Sequence, residues 1–124
     1  MTTITRRPIE NSKSELNIMR MPGGAALVWS VASADDTSAD FAGQTRDVLN
    51  KLERLLKQAG TDQTHLVKAE VVVTDHDNKP LFDEIWRAWV PADKGPVRSF
   101  VESRMPEGDL VEVILTAFLP EDAA

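Results

Sequence analysis

Arg98 and Glu112 stand in two consecutive segments near the C-terminus, PVRSFVES and DLVEVILTAF, whose remaining residues read as partly buried strand. A guanidinium and a carboxylate inside apolar strands cost free energy unless they are paired or used. Two uses are open for Arg98. Its planar fork can clamp a carboxylate through two parallel hydrogen bonds, or it can make an ordinary ion pair at a strand edge. Glu112 can neutralise a buried cation, or it can accept a proton from a water. Together the two residue types describe a site that holds a small carboxylate-bearing ligand beside a water. Alternation places Arg98, Phe100, Glu102 and Arg104 on one strand face, and Leu110, Glu112, Ile114, Thr116 and Phe118 on one face of the next. A turn that pairs Glu102 with Glu112 puts both sets on the same side. A slip of one residue puts them on opposite sides.

The elements that must position these groups are legible in the spacing of apolar residues. Residues 1–15 are polar and are expected to be loosely held, with at most a short edge strand near Thr3–Arg6. Leu16–Met21 and Ala25–Ala32 flank Pro22-Gly23-Gly24 and read as a hairpin. A helix is expected from Ser38 or Asp40 to Ala59, with Phe41, Val48, Leu52, Leu55 and Leu56 on one side and Gly60 as its stop. Val67–Thr74 reads as a strand. Lys79–Val90 reads as a second helix, with Pro80 in its first turn and Leu81, Phe82, Ile85, Trp86 and Trp89 on its apolar side. Val97–Arg104 and Leu110–Leu119 are the last two strands, joined through Met105-Pro106-Glu107-Gly108-Asp109. The resulting order, ββ-α-β-α-ββ, points to one α+β domain over residues 1–124, a sheet with both helices on one face. The other face also carries apolar residues, Trp29 among them, and no further element of the chain can cover it. Packing against other subunits is therefore expected.

Composition narrows the function classes. The 124 residues carry a net charge of -6, and no Lys/Arg run is longer than Arg6-Arg7. A nucleic-acid partner is not expected, because it would require a basic patch. There are no cysteines, so thiolate catalysis and disulfides are absent. No apolar run has the length of a membrane span, and MTTITRRPIENSKSE lacks the apolar core of a signal peptide, so a cytoplasmic protein without membrane contact is expected. His65 and His76 are too isolated for a dyad. Asp75, Asp77 and Asp83 suit helix capping better than a metal, and no metal site is expected.

From Phe41 to Leu119 the chain resembles the RidA/YjgF family of imine and enamine deaminases. The resemblance runs through Gln44-Thr45-Arg46 with Leu49-Asn50, Leu66-Val67-Lys68 to Val73-Thr74-Asp75, and Trp86-Arg87-Ala88-Trp89-Val90. It is most specific at Pro96-Val97-Arg98-Ser99 and Val111-Glu112-Val113. It implies a chorismate-mutase-like fold, a homotrimer, and ligand sites in the clefts between subunits. It also implies that Arg98 binds the carboxylate of a 2-imino or 2-enamino acid and that Glu112 positions the water that attacks the imine carbon. The products would be a 2-oxo acid and ammonium, with no cofactor.

The chain departs from the family pattern in ways that mark a divergent member. The Tyr-containing N-terminal segment is not recognisable. Ser30-Val31 stands where the family has Ser/Thr-Gly, and Val31 restricts the backbone there. Phe100 replaces a small residue after Arg98-Ser99. Asp83 stands at the family's Asn, and the Arg98-to-Glu112 spacing is about one residue short. Ser30, Val31, Phe100 and Trp89 are accordingly the expected substrate-contacting residues beside Arg98. For Trp89, as for Trp29 and Trp86, the commoner use of such a residue is core packing. The alternative function is a non-catalytic trimer of the same fold that binds a small carboxylate or a partner protein.

Overall fold

A computed structural model gives the fold and describes residues 2–120. The chain runs β1 (Thr3–Ile9), β2 (Lys13–Arg20), β3 (Ala26–Ser33), α1 (Phe41–Ala59), β4 (Leu66–Val73), α2 (Lys79–Trp89), β5 (Val97–Glu102) and β6 (Val111–Leu119). The strands form one six-stranded sheet in the order β1-β2-β3-β6-β4-β5. Only β4 and β5 run parallel, joined by α2 as the crossover that a parallel pair requires. The architecture is the expected mixed α+β sheet, with β1 added ahead of the expected elements. Among the described residues no helix is long and apolar enough to cross a membrane.

Local chemistry explains the element ends. Asp40 caps α1 by accepting from the Gly43 N–H, and Gly60 closes it in the left-handed conformation at φ 91°. Phe41, Val48, Leu49, Leu52, Leu55 and Leu56 form the buried side of α1, and Phe82, Ile85 and Trp86 that of α2. Both pack on the sheet face made by Ala69, Val71, Val73, Val111, Val113, Leu115, Val28 and Leu16, all of them buried.

Two expectations are corrected. Residues 3–15 are not a loosely held tail. Thr3–Ile9 pairs antiparallel with Lys13–Arg20 from Thr3↔Arg20 to Ile9↔Lys13, through a turn at Asn11 and Ser12 whose φ values are 64° and 58°. Both faces of β1 are exposed, so its sequence has no hydrophobic period to reveal it. The last two strands also do not form a hairpin. β5 pairs with β4 at the sheet's edge, whereas β6 enters between β3 and β4.

The segment that carries the chain from β5 back to the middle of the sheet is fastened by Gln44, a fully buried polar residue of α1. Its Nε2 donates to the carbonyls of Gly108 (2.9 Å) and Ala39 (3.2 Å), and its Oε1 accepts from the Leu110 N–H (2.9 Å). Gly108 has φ 90°, and a Cβ there would sit 2.8 Å from the Thr37 Cβ, so the close approach requires glycine. Replacing Gln44 by Leu keeps the bulk but strands the Gly108 carbonyl and the Leu110 N–H. The expected cost is about 2–4 kcal/mol, read as a lower urea midpoint at unchanged slope.

Candidate functional site

The sheet register separates the two residues on which the sequence reading turns. Arg98 lies level with Ala69, Leu115 and Ser30, on the face covered by the helices. Glu112 lies level with Val72 and Ser33, on the open face. Paired residues share a face and neighbours alternate, so within one chain Arg98 and Glu112 point to opposite sides of the sheet. Neither of the two registers left open for a β5–β6 hairpin applies, because the two strands do not pair. Glu102 pairs with Val73 at the edge, and its carboxylate accepts from the His76 N–H at 2.9 Å.

Around Arg98 the chain builds an aromatic recess. The guanidinium carbon lies 5.3 Å from the Phe82 ring centre, 5.6 Å from Trp86 and 5.9 Å from Phe100, distances suited to cation–π attraction. Nη2 donates to Asp83 Oδ1 at 2.5 Å, and Lys79 Nζ reaches Asp83 Oδ2 at 2.7 Å. One turn of α2 separates Lys79 from Asp83, which makes the pair an i,i+4 contact. Burial raises the Asp83 carboxyl, but the hydrogen bonds from Lys79 and Arg98 outweigh it and hold the group below the usual carboxylate range. Capping, the use expected for Asp83, falls instead to Asp75, which accepts from the Asp77 N–H. No other nitrogen of Arg98 has a hydrogen-bond partner among the described residues, so most of the fork remains available.

Glu112 stands in a different place, at the end of the open face. It lines a cavity of ≈300 Å³ with Val31, Ser33, Lys13, Glu15, Ile9 and Lys51. Lys51 reaches this rim from α1 and is fixed by the Ser33 carbonyl (2.8 Å) and Asp35 (2.7 Å). Glu15 is held by Arg7 at 2.8 Å. No ion pair of Lys13 or Glu112 is present among the described residues.

The expected contact residues therefore divide. Phe100 belongs with Arg98, and Val31 with Glu112. Ser30 is buried on the helix side, and its Oγ has no hydrogen-bond partner. Trp89 belongs to neither group: it packs on Trp86 and donates its indole N–H to Glu53 at 3.0 Å. That bond, and after it the one from Lys57, keeps the Glu53 carboxyl low. Among the described residues no cluster of three or more His, Cys, Asp or Glu is placed to hold a metal. Lys13, Lys51 and the Asp83 partnership were not read from the sequence. Lys13 and Lys51 look like solvated surface residues, and only the folded sheet brings them to Glu112.

The family model described as Endoribonuclease L-PSP matches residues 29–119. A RutC family protein of Haemophilus ducreyi is 29% identical over 115 residues, covering 92% of this chain and 95% of the relative. The crystal structure of a YjgF family member from Neisseria meningitidis superposes with a TM-score of 0.77 at 27% identity, covering 93% of each chain. A Rid family protein of Yersinia pestis superposes with a TM-score of 0.74 at 25% identity, covering 94% of this chain and all of that one.

The Asp83 contacts make a pH prediction. The unfolded carboxyl titrates near ~3.9 and the folded one lower. The stabilisation is therefore complete above about pH 4 and is lost as pH falls through the folded value. Asp83→Asn is expected to be less stable than wild type near neutral pH and to converge with it under acid. Urea midpoints across the acid range check this; parallel curves for the two proteins would contradict it.

Proposed function

The chain belongs to the RidA/YjgF family, and from that premise we propose that it hydrolyses imines or enamines of small carboxylic acids to 2-oxo acids and ammonium, in clefts between the subunits of a homotrimer. The observation that carries the reading is the state of Arg98: fixed on one side by Asp83 and three rings, with the remaining N–H groups unpaired among the described residues. A guanidinium so held is organised for a carboxylate before the ligand arrives.

Arg98 and Glu112 face opposite sides of one sheet, so a small ligand cannot touch both within a subunit. A site using the two must be shared, with Arg98 from one copy and Glu112 from the next. The open face supplies a reason to assemble. Trp29, Val31, Val72 and Ile114 are only half-buried there, and Ile4, Val97, Val101 and Phe118 are exposed. Covering such a face in a closed symmetric assembly removes it from water.

In the proposed reaction the substrate carboxylate sits on Arg98, with Phe100 beside it. Water lies on Glu112, within hydrogen-bond reach of about 3 Å. The water oxygen attacks the imine carbon, its proton passes to the Glu112 carboxylate, and the C=N pair moves onto nitrogen. The same proton then returns to nitrogen, the hydroxyl proton follows it through Glu112, the C–N bond breaks, and ammonia leaves as the carbonyl forms. An imine carbon is already electrophilic, so positioning accounts for much of what the protein has to supply.

The test measures 2-oxo acid released from imines made in situ by an L-amino-acid oxidase, with semicarbazide competing for the imine. Wild type is expected to accelerate release. Arg98→Ala is expected to lower kcat/KM by about a hundredfold, and Glu112→Gln to lower kcat. Mixing the two impaired variants under conditions of subunit exchange should raise activity above that of either alone, because some clefts then pair an intact Arg98 with an intact Glu112. No acceleration by wild type over a broad amino-acid panel, with saturable carboxylate binding retained, would replace this reading with a binding-only trimer. The endoribonuclease description of the family model is checked in parallel, and metal-free protein is expected to leave RNA intact. Sedimentation at micromolar concentration should give three copies; a monomer would remove the shared site.

A further inference from the structure

The carboxylate of Asp83 is an unusual neighbour for a residue that is to bind carboxylates. It occupies one nitrogen of Arg98 and is itself held by Lys79. Two cations and one carboxylate leave one net positive charge at the recess. The flanking aromatic rings Phe82, Trp86 and Phe100 add no formal charge. Other titratable groups near this side are His76, whose ring meets the Phe100 edge at 5.3 Å, Glu102, and Arg87 one helical turn beyond Asp83. Glu102 lies four residues along β5, roughly 13 Å by strand rise, and already accepts from a backbone N–H.

We propose that Asp83, fixed between Lys79 and Arg98, is a specificity-determining residue: it sets the clamp to one net positive charge and so favours ligands with one carboxylate over ligands with two. The inference rests on Arg98 being the carboxylate clamp. The first ligand carboxylate meets the free edge of the guanidinium and balances the recess. Within the recess of one subunit a second carboxylate meets only the two cations already held by Asp83, and Asp83 repels it. Lys79 cannot serve it without abandoning Asp83, which would then stand against both ligand charges. Asp83 acts here as a positioning group as well, since its short hydrogen bond fixes the plane of the guanidinium and with it the direction of the open N–H pair.

The experiment compares binding of pyruvate with binding of 2-oxoglutarate by titration calorimetry, on intact wild-type protein and on Asp83→Asn, Lys79→Met and Arg98→Ala. Asp83→Asn keeps a hydrogen-bond acceptor for Arg98 but removes the negative charge. It is expected to tighten pyruvate roughly threefold and 2-oxoglutarate roughly tenfold, so that the ratio between them moves toward the dicarboxylate. Lys79→Met removes an exposed cation and should move the ratio the other way, which guards against Asp83→Asn folding poorly. Asp83→Glu restores the charge and should return the ratio toward wild type. Arg98→Ala should lose binding of both acids. An unchanged ratio in Asp83→Asn and in Lys79→Met, with binding still lost in Arg98→Ala, overturns the proposal and leaves the clamp standing. Undiminished binding in Arg98→Ala overturns the clamp and the proposal together. Because the readout is binding of stable oxo acids, it does not depend on imine turnover.

Discussion

The placement of β6 between β3 and β4 is the constraint from which the rest of the arrangement follows. The strand is hydrogen-bonded along both edges, and Val111, Val113, Leu115 and Ala117 lie fully buried beneath the helices. Its side-chain parity is therefore fixed. A shift of one residue would drive Glu112 into the core and Leu115 out of it, at the cost of an unpaired buried charge and lost apolar burial. Glu112 is held on the open face by the apolar residues on either side of it. The same insertion displaces β5 to the sheet edge, where Arg98 has room for a helix-borne partner and for solvent.

Arg98 shows how a cation is kept in a mostly apolar setting. Partial burial weakens its hydration, and three aromatic faces together with one carboxylate return part of that loss. Asp83 in turn is stable as an anion because Lys79 and Arg98 both donate to it. The recess is thus a chain of mutual dependence in which each charge is tolerated because of the next. Its members come from two elements, Lys79, Phe82, Asp83 and Trp86 from α2 and Arg98 and Phe100 from β5, joined by the short loop that closes the parallel β4–α2–β5 unit.

Much of this was readable from residue order. The start of α1 near Asp40 and its stop at Gly60, the helical spacing of α1 and α2, and the apolar stretches of β3, β4 and β6 are local signals, and each of these elements stands within a few residues of where its signal placed it. The pairing of β5 was not readable. A short turn-rich link between two strands looks like a hairpin, and only competition for the place beside β3 and β4 decides otherwise. β1 was read only as a short edge strand near Thr3–Arg6, for a different reason. A strand exposed on both faces has no period-two pattern, and its single clue was Asn11, a residue that tolerates the positive φ its turn requires. At the candidate site, the residue types Arg98 and Glu112 stood out in the sequence. Their neighbours Asp83, Lys13 and Lys51 did not, because contacts across 15 or more positions leave no mark on local spacing. Trp89 was read both as a ligand contact and as a packing residue; it packs on Trp86 and commits its N–H to Glu53.

The outer border of β1 has a consequence for solubility at high concentration. An exposed strand of seven residues invites a second chain to add to it and the sheet to propagate into a fibril. Here Pro8 offers no N–H, the ladder is offset between Arg7 and Pro8, and Arg6 and Arg7 put adjacent positive charges along the strand. Copies approaching in register would bring these like charges together over an interrupted hydrogen-bonding edge. Growth at this border is disfavoured.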